Sequence, residues 1–232
     1  MKKPHAPCRH RSAAFTLVEL LVVMGIITVL AALIIPAGRN IRDNAARKKA
    51  KAELKQVELA IEAYKAKYGF YPPGNPGSPI LNQLYFELTG TTFDGTDYRT
   101  LNGDMRIAMN QVQTAFGPGV SGFVNCTRGT STDEAIEAVN FMKMLKPNHY
   151  VQGVNSGVPM RILCSSIPWP KNLGVLLPTF TPADPEIYPN PIRYNSSSPT
   201  HNPNSYDLWV DVFVGGKTNR ISNWSERPQF VY

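Results

Sequence analysis

The sequence predicts an α+β protein: one long N-terminal helix, apolar in its first half and amphipathic in its second, ahead of a domain of short helices, strands and loops. Three observations predict it. Residues 15–36 form an apolar run whose one ionisable side chain is Glu19. Ala50, Leu54, Val57, Ile61, Tyr64 and Tyr68 then recur at alternating spacings of four and three, the signature of a single apolar stripe on a helix. Finally, twelve of the twenty prolines lie from Pro147 onward, where short strands and turns replace long helices.

Taken in order, residues 1–14 are a short basic lead-in, with Lys2, Lys3, Arg9 and Arg11, no acid, and the helix breakers Pro4 and Pro7. Residues 15–36 would extend about 33 Å as a helix, enough to cross the hydrocarbon core of a bilayer. A secretory signal peptide would end in small residues, whereas here Ala13 and Ala14 precede the apolar run. Pro36 lacks an amide proton and is predicted to kink the helix between its halves. The amphipathic half, residues 37–69, stops at Gly69 with Pro72 and Pro73 beyond. Arg39, Arg42, Arg47, Lys48, Lys49 and Lys51 flank the run on that side, so charge bias alone does not set its orientation.

Residues 70–232 read as one domain. "SPILNQLYFELTG" predicts a short helix ending at Gly90, with Ile80, Leu84 and Leu88 on one side. "TGTTFDGTDYRTLNGDM" reads as loop. "STDEAIEAVNFMKMLKP" predicts a second helix, with Ser131 and Glu134 spaced as a capping box and Pro147 as the stop. "YDLWVDVFVGG" and "RPQFVY" are the strongest strand candidates.

The formal net charge of +7 is unevenly placed. The lead-in and residues 37–68 hold the excess of bases, while residues 69–232 carry eleven bases against twelve acids. The basic stripe lacks interleaved aromatic residues and reads as a solvated or headgroup-facing helix side, locally supported by Asp43 and Arg47, so no nucleic-acid partner is expected. Enzyme chemistry has little to stand on. His149 and His201 are far apart, "GVSG" at 119–122 lacks the spacing of a nucleophile elbow, and "DGTD" at 94–97 reads as a turn rather than a cation loop. No cofactor and no metal are expected. Asn125-Cys126-Thr127 and Asn195-Ser196-Ser197 match the glycosylation pattern, as short motifs do by chance. Cys126 and Cys164 could close a disulfide worth about 3–4 kcal/mol or remain two unpaired thiols.

"AFTLVELLVV" after a basic leader, followed by a proline-interrupted helix, resembles the N-terminal signature of type IV pilins and type II secretion pseudopilins. The resemblance implies a pilin-like fold, with the helix's membrane-spanning first half at residues 15–36 and the rest of the helix packed on a small antiparallel sheet with loop-rich elaborations. It implies cleavage between Ala14 and Phe15 by a prepilin peptidase, methylation of the new Phe15 amine, and pairing of Glu19 with the amine of a neighbouring subunit during assembly. Ala14 stands where the family usually has Gly. The partners implied are the peptidase, other pilin or pseudopilin subunits, an inner-membrane assembly platform and membrane lipid. The implied location is the bacterial inner membrane for the precursor and the periplasm for the domain, with the assembled fibre periplasmic or extracellular. "YKAKYGFYPP" is similar to the end of the long helix in major pseudopilins, and "NSYDLWVDVFVGGKTNRISNW" to their final loop, where Tyr206, Asp207, Leu208 and Trp209 open the segment and Ile221, Asn223 and Trp224 close it. In the family this loop often binds calcium through aspartates. Here the stretch between has no such set, so calcium is not carried over.

The resulting expectation is a non-enzymatic structural subunit of a type II secretion pseudopilus or a type IV pilus-like fibre. The competing expectation is a periplasmic binding module or enzyme that keeps an uncleaved anchor.

Overall fold

The computed structural model describes residues 16–129 and 137–231, with the side chains of residues 33–40, Pro36 among them, outside the description. The chain divides into two compact units, Met1–Arg42 and Asp43–Tyr232. Helix α1, Leu17–Tyr68, contributes to both and continues through Pro36, so the proline does not end it.

In the first unit, the apolar side chains from Leu17 to Leu30 are all exposed. The Thr28 hydroxyl is satisfied within the helix, donating to the Met24 carbonyl at 2.7 Å. Described side chains of the run end at Ala32, about 24 Å of helix at 1.5 Å per residue. Among the described residues no helix is long and apolar enough to cross a membrane.

In the second unit the predicted stripe is the buried face of α1. Ala50, Leu54, Val57, Ile61 and Tyr64 are buried, joined by Ala60, and Tyr68 is half-buried. The C-terminal sheet completes this layer: β8 (Arg193–Asn195), β9 (Asp207–Val214), β10 (Lys217–Ser222) and β11 (Gln229–Val231) run antiparallel in the order β11-β10-β9-β8. Leu208, Val210 and Val212 alternate inward along β9, the two-residue period of a half-buried strand. Gly215 and Gly216, both at positive φ, make the two-residue turn to β10.

The region between helix and sheet departs most from expectation. Helix α2 is Leu84–Thr89, shorter at its start than predicted, and it stops as expected at Gly90, where φ is 81° and an added Cβ would lie 2.8 Å from Leu101 Cδ1. The segment read as loop forms two short strands instead, β1 (Thr91–Phe93) and β2 (Asp97–Thr100), with Asp94 and Gly95 in the turn between them, and a third, β3 (Arg106–Ala108), follows directly after it. Asp94 accepts from the backbone of Thr96 and Asp97, so "DGTD" is a turn built on itself. A further helix, α3 (Val112–Phe116), leads towards β4 (Cys126–Arg128), which pairs parallel with β1, giving the order β3-β2-β1-β4. The third sheet, order β6-β5-β7, comprises β5 (Tyr150–Asn155), β6 (Val158–Leu163) and β7 (Phe180–Pro182). The expected single small sheet is therefore three sheets, one of them containing a parallel pair.

The predicted helix over 131–147 is only partly described, since 131–136 lie outside the described residues, but its remainder is not helical. Long-range partners claim the amides a helix would use. The N–H groups of Ala138, Val139 and Phe141 donate to Thr127 Oγ1, Asn125 Oδ1 and the Leu88 carbonyl.

Candidate assembly site

Ala14 and Phe15 lie outside the described residues, and Glu19 sits in the first turn of α1. Its Oε2 accepts from the Thr16 amide at 2.8 Å and the Thr16 hydroxyl at 2.9 Å, while the Glu19 amide donates back to Thr16 Oγ1 at 3.3 Å. Thr16-Leu17-Val18-Glu19 is thus a reciprocal capping box, which satisfies amides that the first helical turn leaves without partners. Both bonds fall on Oε2. Among the described residues Oε1 accepts none, so the carboxylate can close the helix end and still offer an oxygen to a cation.

The basic side of α1 is exposed at Arg42, Lys48, Lys49, Lys51 and Lys55. The expected Asp43–Arg47 pair does not form. Arg47 instead donates to Asn219 Oδ1 and Asn44 Oδ1, each at 3.0 Å, because β10 brings a better-placed acceptor. Lys51 reaches Glu226 at 3.0 Å.

Two buried carboxylates hold this half of α1 to the domain, and sequence reasoning missed both. Glu53 accepts from the Ser165 hydroxyl at 2.6 Å, the Ser166 amide at 3.1 Å and the Ser166 hydroxyl, with His149 Nε2 3.6 Å away. Its position was available: Glu53 is three residues after Ala50 and one before Leu54, on the stripe itself. Glu87 on α2 is fully buried and accepts from Tyr64 Oη at 3.0 Å, the Val124 amide at 2.9 Å and the Asn125 amide at 3.0 Å. Burial pushes its carboxyl above the ordinary range against the pull of those donors.

Asn125 is also fully buried, its amide donating to the Glu87 and Val139 carbonyls, so it is a packing residue and not a glycan acceptor. The disulfide weighed between Cys126 and Cys164 does not form; both are buried free thiols. Cys126 belongs to the sheet of β1 and β4, whereas Cys164 follows β6 and bridges to Pro191, so the strands carry the two sulfurs into different sheets. The histidines are likewise separate. His149 lies beside Glu53, and His201 lies beside Asp207 at 3.2 Å. Among the described residues no group of His, Cys, Asp and Glu is arranged to hold a metal.

Comparison with known proteins agrees with the motif reading. Residues 9–35 match the prokaryotic N-terminal methylation motif. The chain is 35% identical over 72 residues to type II secretion system core protein G of Pectobacterium carotovorum, covering 31% of this chain and 46% of that protein. It is 35% identical over 73 residues to the protein of the same name from Pseudomonas aeruginosa, covering 32% and 51%. For the Escherichia coli protein of that name the figures are 36% over 67 residues, 29% and 46%. The chain spans about half the length of the curated relatives it matches. No solved structure matches it. The chain thus carries a prokaryotic N-terminal methylation motif, and about a third of it is similar to type II secretion system core proteins G.

Proposed function

We propose that the chain is made as a precursor in the bacterial inner membrane, cut between Ala14 and Phe15 by a prepilin peptidase, methylated at Phe15, and packed into a type II secretion pseudopilus or related fibre. Residues 1–14 are the cytosolic leader in this reading. Residues 15–36 form the membrane-spanning and assembly half of α1, residues 37–69 its amphipathic half, and residues 70–232 the pilin-like domain outside the inner membrane. The chain performs no catalysis and takes no cofactor. Its partners are the peptidase, other subunits of its kind, the inner-membrane assembly platform and lipid.

The single observation that supports this best is the carboxylate of Glu19 at the head of an otherwise apolar, exposed helix. A charge at the centre of a bilayer costs about 2.5–3.5 kcal/mol on insertion scales and is kept where it has a partner. Cleavage before Phe15 would create that partner, a new amine four residues away in sequence. Ala14 is the smallest step from the Gly usual before the cut, so the peptidase should accept it.

The test is the intact mass of the chain expressed with and without a prepilin peptidase. The expected result is a chain starting at methylated Phe15 when the peptidase is present and at the uncut terminus when it is absent. An uncut terminus in both samples would make residues 15–36 an ordinary anchor and overturn the reading.

A further inference from the structure

The segment between β8 and β9 folds back onto the first residues of β9 and onto Asn223, just after β10, through a dense set of hydrogen bonds. Asp207, 3% exposed, is the acceptor at its centre. Its Oδ2 takes the amides of Thr200 at 2.7 Å and His201 at 2.9 Å and faces His201 Nδ1 at 3.2 Å, and its Oδ1 takes the amide of Asn202 at 2.9 Å. Each carboxylate oxygen has two lone pairs, so Oδ2 is crowded by three nitrogens while Oδ1 takes one. Asn223 ties the other side. Its Oδ1 accepts from the Leu208 amide at 3.0 Å and Asn202 Nδ2 at 3.2 Å, and its Nδ2 donates to the Tyr206 carbonyl at 2.9 Å. The His201 ring lies flat on Trp224 at 4.0 Å, and the Tyr206 hydroxyl reaches Glu62 on α1 at 3.2 Å.

In the family that the chain resembles, the final segment, here residues 204–224, often binds calcium through aspartates; Asp207 and Asn223 of this network belong to that segment, and the residues present do not fit the ion. Calcium takes six to eight oxygen ligands. The groups that crowd Asp207 are nitrogens, and they point where a cation would have to sit. The next carboxylate on the strand, Asp211, is committed as well: Arg220 holds both its oxygens, at 2.9 and 3.1 Å, and Arg193 approaches at 3.5 Å. The donors do the electrostatic work of the ion, placing positive charge density around a buried carboxylate.

We propose that this loop is closed by the chain's own donors, with Asp207 as the hub and Asn223 as the tie, so that the domain folds and stays closed without calcium. This rests on the subunit reading only for the comparison with calcium-binding relatives.

Burial pushes the Asp207 carboxyl up, but the amides of His201, Thr200 and Asn202 outweigh it and hold the group below its ordinary value. A depressed folded value means that its contribution is present above the unfolded value of about 3.9 and is lost as pH falls through the folded one. The loop should therefore stay closed through neutral pH and open only in acid.

The experiment is limited proteolysis of the full chain in membranes, in excess EGTA or excess calcium chloride, with the terminal mass read from the same sample. An ion held at a hundred times its dissociation constant would slow cleavage through the open state about a hundredfold. The expected difference for the wild-type chain is less than about twofold. Asp207→Asn, which sets an NH2 group against backbone amides, is expected to speed cleavage by about tenfold or more, equally in both buffers. Where that variant fails to accumulate, Asn223→Ser carries the comparison, with faster cleavage again independent of calcium. Strong protection of the wild-type chain by calcium, or an unchanged rate in Asn223→Ser, would overturn the proposal. An uncut terminus in the same sample would instead strike at the subunit reading and leave the loop result standing.

Discussion

Glu19→Ala is expected to leave processing intact and to lower the amount of chain recovered in assembled fibres by at least about tenfold, the effect of losing about 1.4 kcal/mol or more per subunit contact. Two roles compete for this carboxylate. As the last residue of the Thr16 capping box it supports the helix end, a contribution of about 0.5–2 kcal/mol to one chain. As a charge in an apolar segment it would draw the amine of a neighbour's first residue, an interaction strengthened by the low dielectric around it. Glu19→Gln separates the two, because glutamine also serves in capping boxes but carries no charge. Recovery of Glu19→Gln in fibres should be as poor as that of Glu19→Ala. Assembly of the glutamine variant at the wild-type level would assign Glu19 to capping alone.

Glu87→Ala is expected to destabilise the domain by about 3–5 kcal/mol, read as a shift in guanidinium chloride unfolding of the full chain in detergent. The substitution strands three donors that converge on one buried carboxylate: the Tyr64 hydroxyl and the amides of Val124 and Asn125. Each donor left without water or a partner costs about 1–3 kcal/mol, with part recovered by local relaxation. Against a typical total stability of about 5–15 kcal/mol, this removes from about a fifth to the whole of the margin. Glu87 also ties α1 to α2 and to the segment entering β4, so the loss should be cooperative rather than local. Tyr64→Phe, which removes one donor, should cost less than Glu87→Ala. Equal stability of wild type and Glu87→Ala would contradict this account of how α1 is fixed to the domain. Because burial raises the folded value of this carboxyl, its contribution to stability declines as pH rises from the unfolded value of about 4.3 towards the folded one, opposite in sign to Asp207.

What the sequence disclosed follows from the range of the interactions involved. The α1 stripe, the stop of α2 at Gly90 and the β9–β10 hairpin at Gly215 and Gly216 rest on contacts between near neighbours, and local periodicity or turn chemistry reveals those. The helix expected beyond Ser131 had a good local pattern, yet in its described part Asn125, Thr127 and Leu88 take the backbone amides, and no local rule anticipates such partners. The strands at Thr91, Asp97 and Arg106 are three or four residues long, too short to show a period of two. Of the site, Glu19 was conspicuous because an acid in an apolar run is costly. Glu53 and Glu87 were less so: Glu53 sits at the stripe among the charges of a basic helix and Glu87 within the six-residue α2, and the donors that bury them come from distant parts of the chain.

The measurement that bears most directly on the central claim is a helical reconstruction of the fibre formed by the processed chain, with the distance from the Glu19 carboxylate to the Phe15 amine of an adjacent subunit read from it. The account predicts a separation within about 4 Å, the range of an ion pair. A fibre in which Glu19 stays bonded to its own Thr16 and faces no neighbouring amine would contradict it.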